Sequence, residues 1–150
     1  MIQRIQTVYL FLVVVLGTLL CFFAPVQFLT PTGTEYIALT TFQKWPLAVL
    51  TIAVPAIALV NIFLFKCRLL QARINVVNVV LCLGYYALLA LYIAYIVKGN
   101  EPIHGMLLED ADWYLNVWAG IPLINVVLSM MATRRILKDE ALVRAADRLR

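Results

Sequence analysis

Four long stretches of the chain contain no Asp, Glu, Lys, Arg or His. They cover 7–24, 46–65, 74–97 and 113–132, that is 18, 20, 24 and 20 residues. Each length falls in the window for a helix that crosses a bilayer, and at ~1.5 Å per residue they reach about 27 to 36 Å. No water is available at that depth, so the backbone must satisfy its own hydrogen bonds, and a helix does so locally. A β-barrel would need short alternating strands, which these runs are not. The connection 66–73 is short, and the stretches 25–45 and 98–112 are too short for separate domains. Sequential helices joined in this way lie antiparallel. The pattern therefore predicts an all-α membrane protein. Its single domain, 1–150, is a four-transmembrane-helix antiparallel bundle with a C-terminal cytoplasmic helical extension over 133–150.

Charge adds an orientation. Of the twelve Lys and Arg, ten fall on one side of such a bundle: Arg4, then Lys66, Arg68 and Arg73, then Arg134, Arg135, Lys138, Arg144, Arg148 and Arg150. Only Lys44 and Lys98 fall on the other. Basic residues are retained on the cytoplasmic side, so both termini are expected there. Trp45, Tyr92, Tyr95, Trp113 and Tyr114 gather at the opposite interface, where amphipathic rings are favoured. The first stretch follows Arg4 as a secretory signal would, but it ends Cys21-Phe22-Phe23-Ala24-Pro25 without a small-x-small pattern, so an uncleaved anchor is expected.

Composition agrees. Hydrophobic residues make up 64% of the chain and charged ones 13%, more apolar surface than a soluble domain of this size can hide. The net charge of +4 is accounted for by the sidedness just described, and no nucleic-acid partner is expected. Cys21, Cys67 and Cys82 stand apart, with no C-x-x-C and no adjacent histidine, which argues against a disulfide scaffold, a zinc site or a redox pair.

The polar residues inside the spans are few. Asn61, Asn75, Asn78 and Asn125, with Ser129, come from three stretches and fall in one layer near the basic end, some 6 to 10 Å inside at 1.5 Å per residue for the deeper ones. A buried amide without a partner is costly, so these side chains are expected to face the bundle and bond across it. The other reading is a polar pocket open to the cytoplasm. Gly84, Ala87, Ala90 and Ala94 fall within about 120° on the third helix, a packing face that lets another helix approach closely. Tyr85 and Tyr92 continue a line from Asn78 and read as packing residues. Pro55 and Pro122 are expected to sit in mid-span and bend their helices. Pro46 suits a helix start.

The last outer loop carries Glu101, His104, Glu109, Asp110 and Asp112. Its spacing fits no ligand template, so a solvated acidic loop is expected, with Asp112 capping the fourth helix. The stretch 133–150 lacks Pro and Gly, pairs Glu140 with Arg144, and sets Leu142, Ala145 and Leu149 at helical spacing. A basic helix continuing or bending from the fourth span is expected, resting on anionic headgroups or docking a cytoplasmic partner.

Both ends carry a resemblance. Met1-Ile2-Gln3-Arg4-Ile5-Gln6-Thr7-Val8-Tyr9-Leu10 and the run from Arg135 to Arg150 resemble the termini of a Bacteroidetes family of small four-span inner-membrane proteins, catalogued as a domain of unknown function. The basic turn from Lys66 to Arg73 fits it too. The resemblance implies a bacterial inner membrane and assigns no activity.

No constellation for nucleophilic, acid–base or metal chemistry is visible, so a non-enzymatic role without cofactor is expected. The leading reading is a structural or accessory subunit that associates with other membrane components or with itself. The alternative is a small oligomeric transporter or channel built around the amide layer. Coupled transporters usually keep an ionisable residue within the membrane, and the four stretches have none.

Overall fold

A computed structural model describes residues 3–29, 36–64, 67–99 and 112–148. Four helices dominate it: α1 (Gln3–Phe22), α2 (Trp45–Phe63), α3 (Arg68–Val97) and α4 (Ile121–Arg148). Three helical segments are long and apolar enough to cross a membrane: Trp45–Phe63, Arg68–Val97 and Val117–Ala145. The first helix is apolar over a shorter run, Gln6–Phe22. Packing pairs α1 with α2, α2 with α3, α3 with α4 and α4 with α1.

The helix ends depart from the uncharged stretches in instructive ways. Charge alone does not stop a helix, and α3 begins at Arg68 rather than after Arg73. The expected turn from Lys66 to Arg73 therefore shrinks to a tight break around Leu64 and Cys67, where Cys67 N–H donates to the Leu64 carbonyl at 3.0 Å. At its other end α3 is closed by Gly99, whose φ of 68° is a conformation glycine adopts freely, and whose N–H reaches the Ile96 carbonyl at 2.9 Å. The basic tail is continuous with the last apolar segment, as a single helix from Ile121 to Arg148. Twenty-eight residues at ~1.5 Å rise give about 42 Å, longer than a hydrocarbon core of ~30 Å.

The expected helical start at Trp113 is not found. Residues Trp113–Leu115 form a strand, β3, beside β1 (Val26–Leu29), which also pairs with β2 (Tyr36–Leu39). Both pairings are antiparallel: Val26 faces Leu39 and Leu115, and Phe28 faces Ile37 and Trp113. Aromatic and branched residues suit strands, and here they complete a ladder on both sides of β1. Val26 and Phe28 alternate inward with Gln27 and join Leu20, Leu39, Leu47, Leu89, Ile96 and Ile121 in one apolar core. This small sheet closes the end of the helices remote from Arg68, Arg73 and the basic tail. Around it Trp45, Tyr36, Tyr95 and Tyr114 are exposed.

The fourth helix consequently starts later. Asn116 caps a short 3-10 turn over Val117–Gly120, its side chain accepting from Val117 N–H at 2.8 Å. Asp112, expected as the cap of α4, is exposed, and its main-chain carbonyl instead accepts from Leu29 N–H at 2.8 Å. Pro122 lies in the first turn of α4, where its missing N–H removes no helical bond, rather than in mid-span. Pro55 does lie within α2, which runs on through it.

Candidate functional site

Toward the basic end the apolar packing gives way to polar side chains. Asn61 comes from the last turn of α2, Gln71, Asn75 and Asn78 from α3, and Asn125, Ser129 and Thr133 from α4. Asn61, Asn75, Asn78 and Ser129 have no exposed surface, and Gln71 and Asn125 have almost none. Burial of amides in the interior follows from helix phase: Gln71, Asn75, Asn78, Cys82, Tyr85 and Leu89 recur at three- and four-residue intervals and form the inward stripe of α3.

Two ties run between helices here. Asn75 Nδ2 donates to the Ser129 carbonyl at 2.6 Å and to Thr133 Oγ1 at 2.8 Å, joining α3 to α4. Thr133 Oγ1 donates in turn to the Ser129 carbonyl at 2.9 Å. Gln71 Nε2 donates to the Asn61 carbonyl at 3.1 Å, tying α3 to the end of α2. These bonds reach main-chain carbonyls and a hydroxyl, because a helical carbonyl keeps a second lone pair free. Both side-chain polar atoms of Asn61 and of Asn78, with Asn75 Oδ1, Asn125 Oδ1 and Ser129 Oγ, find no hydrogen-bond partner among the described residues. The layer is therefore half clamped, and the four asparagines that the sequence groups together are not equivalent.

Farther from the basic end, Gly17, Thr51, Val54, Cys82, Tyr85 and Asn125 line a small cavity. It leaves about 10 Å3 for the centre of a water molecule, close to room for one. Tyr85 Oη and Asn125 Oδ1, both buried, lack partners among the described residues. The surface that lines this cavity is otherwise almost wholly apolar. Among the described residues no three His, Cys, Asp or Glu are grouped as metal ligands. Cys21, Cys67 and Cys82 are all free. Of the outer acidic loop, Glu101, His104, Glu109 and Asp110 lie outside the described residues.

The small-residue face of α3 points away from the other helices. Ala87, Ala90 and Ala94 are exposed, and a Cβ added to Gly84 would meet nothing within 4 Å. Along the tail Arg134, Arg135, Lys138 and Arg144 are exposed, and Arg144 Nε donates to Glu140 Oε1 at 3.1 Å. Arg148 is the last residue of α4, while Leu149 and Arg150 lie outside the described residues. Leu142 and Ala145 are exposed along this helix, with no cover among the described residues.

Three contacts have no clear signal in the sequence. Tyr86 Oη donates to the Ala119 carbonyl at 2.6 Å and accepts from Leu123 N–H at 3.0 Å, so a side chain of α3 caps the start of α4. Gln6 Nε2 donates to Asp139 Oδ2, fastening the first turns of α1 to the tail. Gly17 of α1 lies against the ring of Pro55 in α2. Gln71 carries a faint signal, a three- to four-residue spacing ahead of Asn75 and Asn78, hidden because it lies among arginines.

Comparison with known proteins gives one match. The model of a family described as Domain of unknown function (DUF4293) covers residues 2–149. No curated protein and no solved structure matches the chain.

Proposed function

The chain belongs to that DUF4293 family, and from this premise we propose that it is a non-enzymatic accessory subunit of a bacterial inner membrane. In this reading all four helices span as an antiparallel bundle, and both termini face the cytoplasm. The positive side then carries the tail and the break at Cys67, and the small sheet faces outward. The function is to associate through the membrane with other components.

The observation that carries this reading is the outward small-residue face of α3. Lipid tails are as apolar as leucine, so helices associate in a membrane through close packing rather than through hydrophobic exclusion. Gly84, Ala87, Ala90 and Ala94 leave a shallow strip along which a neighbouring helix approaches closely, and none of the chain's own helices occupies it. A photo-crosslinking side chain placed at Ala87 tests the proposal in intact membranes, with Leu59 on the exposed side of α2 as control. A discrete protein adduct from position 87 and lipid alone from position 59 is expected. Lipid alone at both positions would sink the accessory reading.

A second reading draws on the amide layer. The unpartnered side chains of Asn61 and Asn78 are what a small oligomeric transporter or channel would use to replace hydration of a passing solute. Ion or dye flux in liposomes holding the purified protein, lost on Asn78→Leu, is the result that would favour it over the first.

A further inference from the structure

At the basic end, beneath the first turns of α3, an open groove of about 600 Å3 is bounded by Cys67, Arg68, Leu70, Arg73, Glu140 and Val143. Its charge is one-sided. Glu140 is engaged by Arg144, whereas Arg68 and Arg73 have no ion-pair or hydrogen-bond partner among the described residues. The first turn of α3 contains no acidic residue, so its free amide groups add to the positive field.

A second groove, about 400 Å3 and almost wholly apolar, lies between α2 and α3 and is lined by Ala56, Ile57, Val60, Ile74 and Val77. The first groove is bounded by α3 and α4 and the second by α2 and α3, and both border the same stretch of α3. Leu70 borders the first, and Ile74 and Val77 border the second, at i, i+4 and i+7 on one helix edge. Arg73, in the basic groove, immediately precedes Ile74 in the apolar one. An unpaired positive group where the helix leaves the hydrocarbon, continued inward by an apolar furrow, has the polarity of one phospholipid molecule.

We propose that this edge of the protein binds one anionic glycerophospholipid, its phosphate between Arg68 and Arg73 and one acyl chain along the furrow between α2 and α3. The site rests on the membrane reading given above. Guanidinium groups match phosphate oxygens bidentately, and basic pockets beside membrane helices hold anionic headgroups in this way. Ala56 is the small residue that leaves the furrow open, as Ile57 and Val60 form its walls.

The test begins with carbonate extraction of membranes bearing the full chain. Release into the wash would remove the membrane reading itself, independently of the lipid site. With the protein retained, the full chain in mild detergent is titrated with dioleoyl phosphatidylglycerol or dioleoyl phosphatidylcholine, and bound lipid is counted by native mass spectrometry. One phosphatidylglycerol is expected to bind in clear preference to phosphatidylcholine. Arg68→Gln and Arg73→Gln are each expected to reduce that preference on the order of fivefold. Lys138→Gln, on the exposed tail and outside the groove, is expected to preserve it. Ala56→Phe fills the furrow and is expected to weaken binding of the lipid while leaving both guanidinium groups in place. Helicity by circular dichroism identifies any variant that fails to fold, and Arg73→Gln, at an exposed position, then carries the comparison alone. Equal binding of the two lipids overturns the site. A Lys138→Gln effect as large as that of Arg73→Gln would mean diffuse surface charge. Displacement of the lipid by an equal concentration of inorganic phosphate would mean a free-anion site, and either result overturns the lipid assignment.

Discussion

A Cβ built on Gly17 would lie 3.1 Å from both Cβ and Cδ of Pro55, a separation that real side chains rarely reach. The proline ring is rigid, so the helices themselves would have to move apart. Gly17→Ala is therefore expected to lower thermal stability in detergent by about 1–3 kcal/mol, as overpacking does. Gly84→Ala, where the added methyl meets nothing, is expected to leave stability unchanged or slightly raised, and this contrast is read from paired melting curves. The asparagines invite a similar comparison. Asn75→Ala gives up two bonds to α4, whereas Asn78→Ala gives up none to the described residues. Both leave a similar void, so Asn75→Ala is expected to cost about 1–2 kcal/mol more. Equal losses in thermal unfolding would show that Asn78 also has a partner. The sequence placed these side chains in a buried layer because charge-free flanks and helical spacing are written locally. Which of them is clamped depends on the rotation of α4, which no local pattern encodes.

Among helices and strands, the start of α4 shows most clearly how one element depends on another. Ile121 and Pro122 begin the helix without a side-chain cap of their own, and Tyr86 from α3 reaches across to Leu123 N–H and the Ala119 carbonyl. Tyr86→Phe keeps the ring and removes both bonds, at an expected cost of about 1–3 kcal/mol. Hydrogen exchange should show the loss first at the amides of Ile121, Leu123 and Ile124, and no local change there would contradict the assigned cap. The strands make the same point. Val26–Leu29 and Trp113–Leu115 are separated by most of the chain, and each alone is too short to persist. Their pairing exists because the ends of α1 and α4 are brought side by side, and because Phe23 of the α1 exit stacks on Trp118 at 3.8 Å between ring centroids. An uncharged stretch that includes Trp113 reads as helix when hydropathy is the only guide, since hydropathy does not distinguish a membrane helix from a strand that caps one.

For the complete chain, the three cysteines provide an internal test of the proposed orientation. Cys67 is exposed in the break between α2 and α3, Cys82 is buried, and Cys21 is half-buried near the sheet end of α1. A membrane-impermeant maleimide is expected to label Cys67 in inverted vesicles and to leave it unmodified in intact spheroplasts, with Cys82 unmodified in both. Mass spectrometry of the labelled chain reads the result directly. Labelling of Cys67 in intact cells would reverse the orientation and move the lipid site to the outer leaflet. The side-to-side arrangement also sets what the tail can do. Gln6 holds Asp139, so the tail is fastened at its root.

Length, charge and helical spacing were enough to place four apolar segments, the basic end, the helical tail and the burial of Asn61, Asn75, Asn78 and Asn125. Each of these is a sum over neighbouring residues, and transfer between water and an apolar medium adds nearly residue by residue. The tertiary structure alone decided that Gly17 meets Pro55, that Tyr86 caps α4, that Trp113–Leu115 is a strand and that Asn75 is bonded while Asn78 is not. Those outcomes depend on the rotation and register of segments distant in sequence, and a turn of one residue on a helix moves a side chain by ~100°, from one neighbour to another.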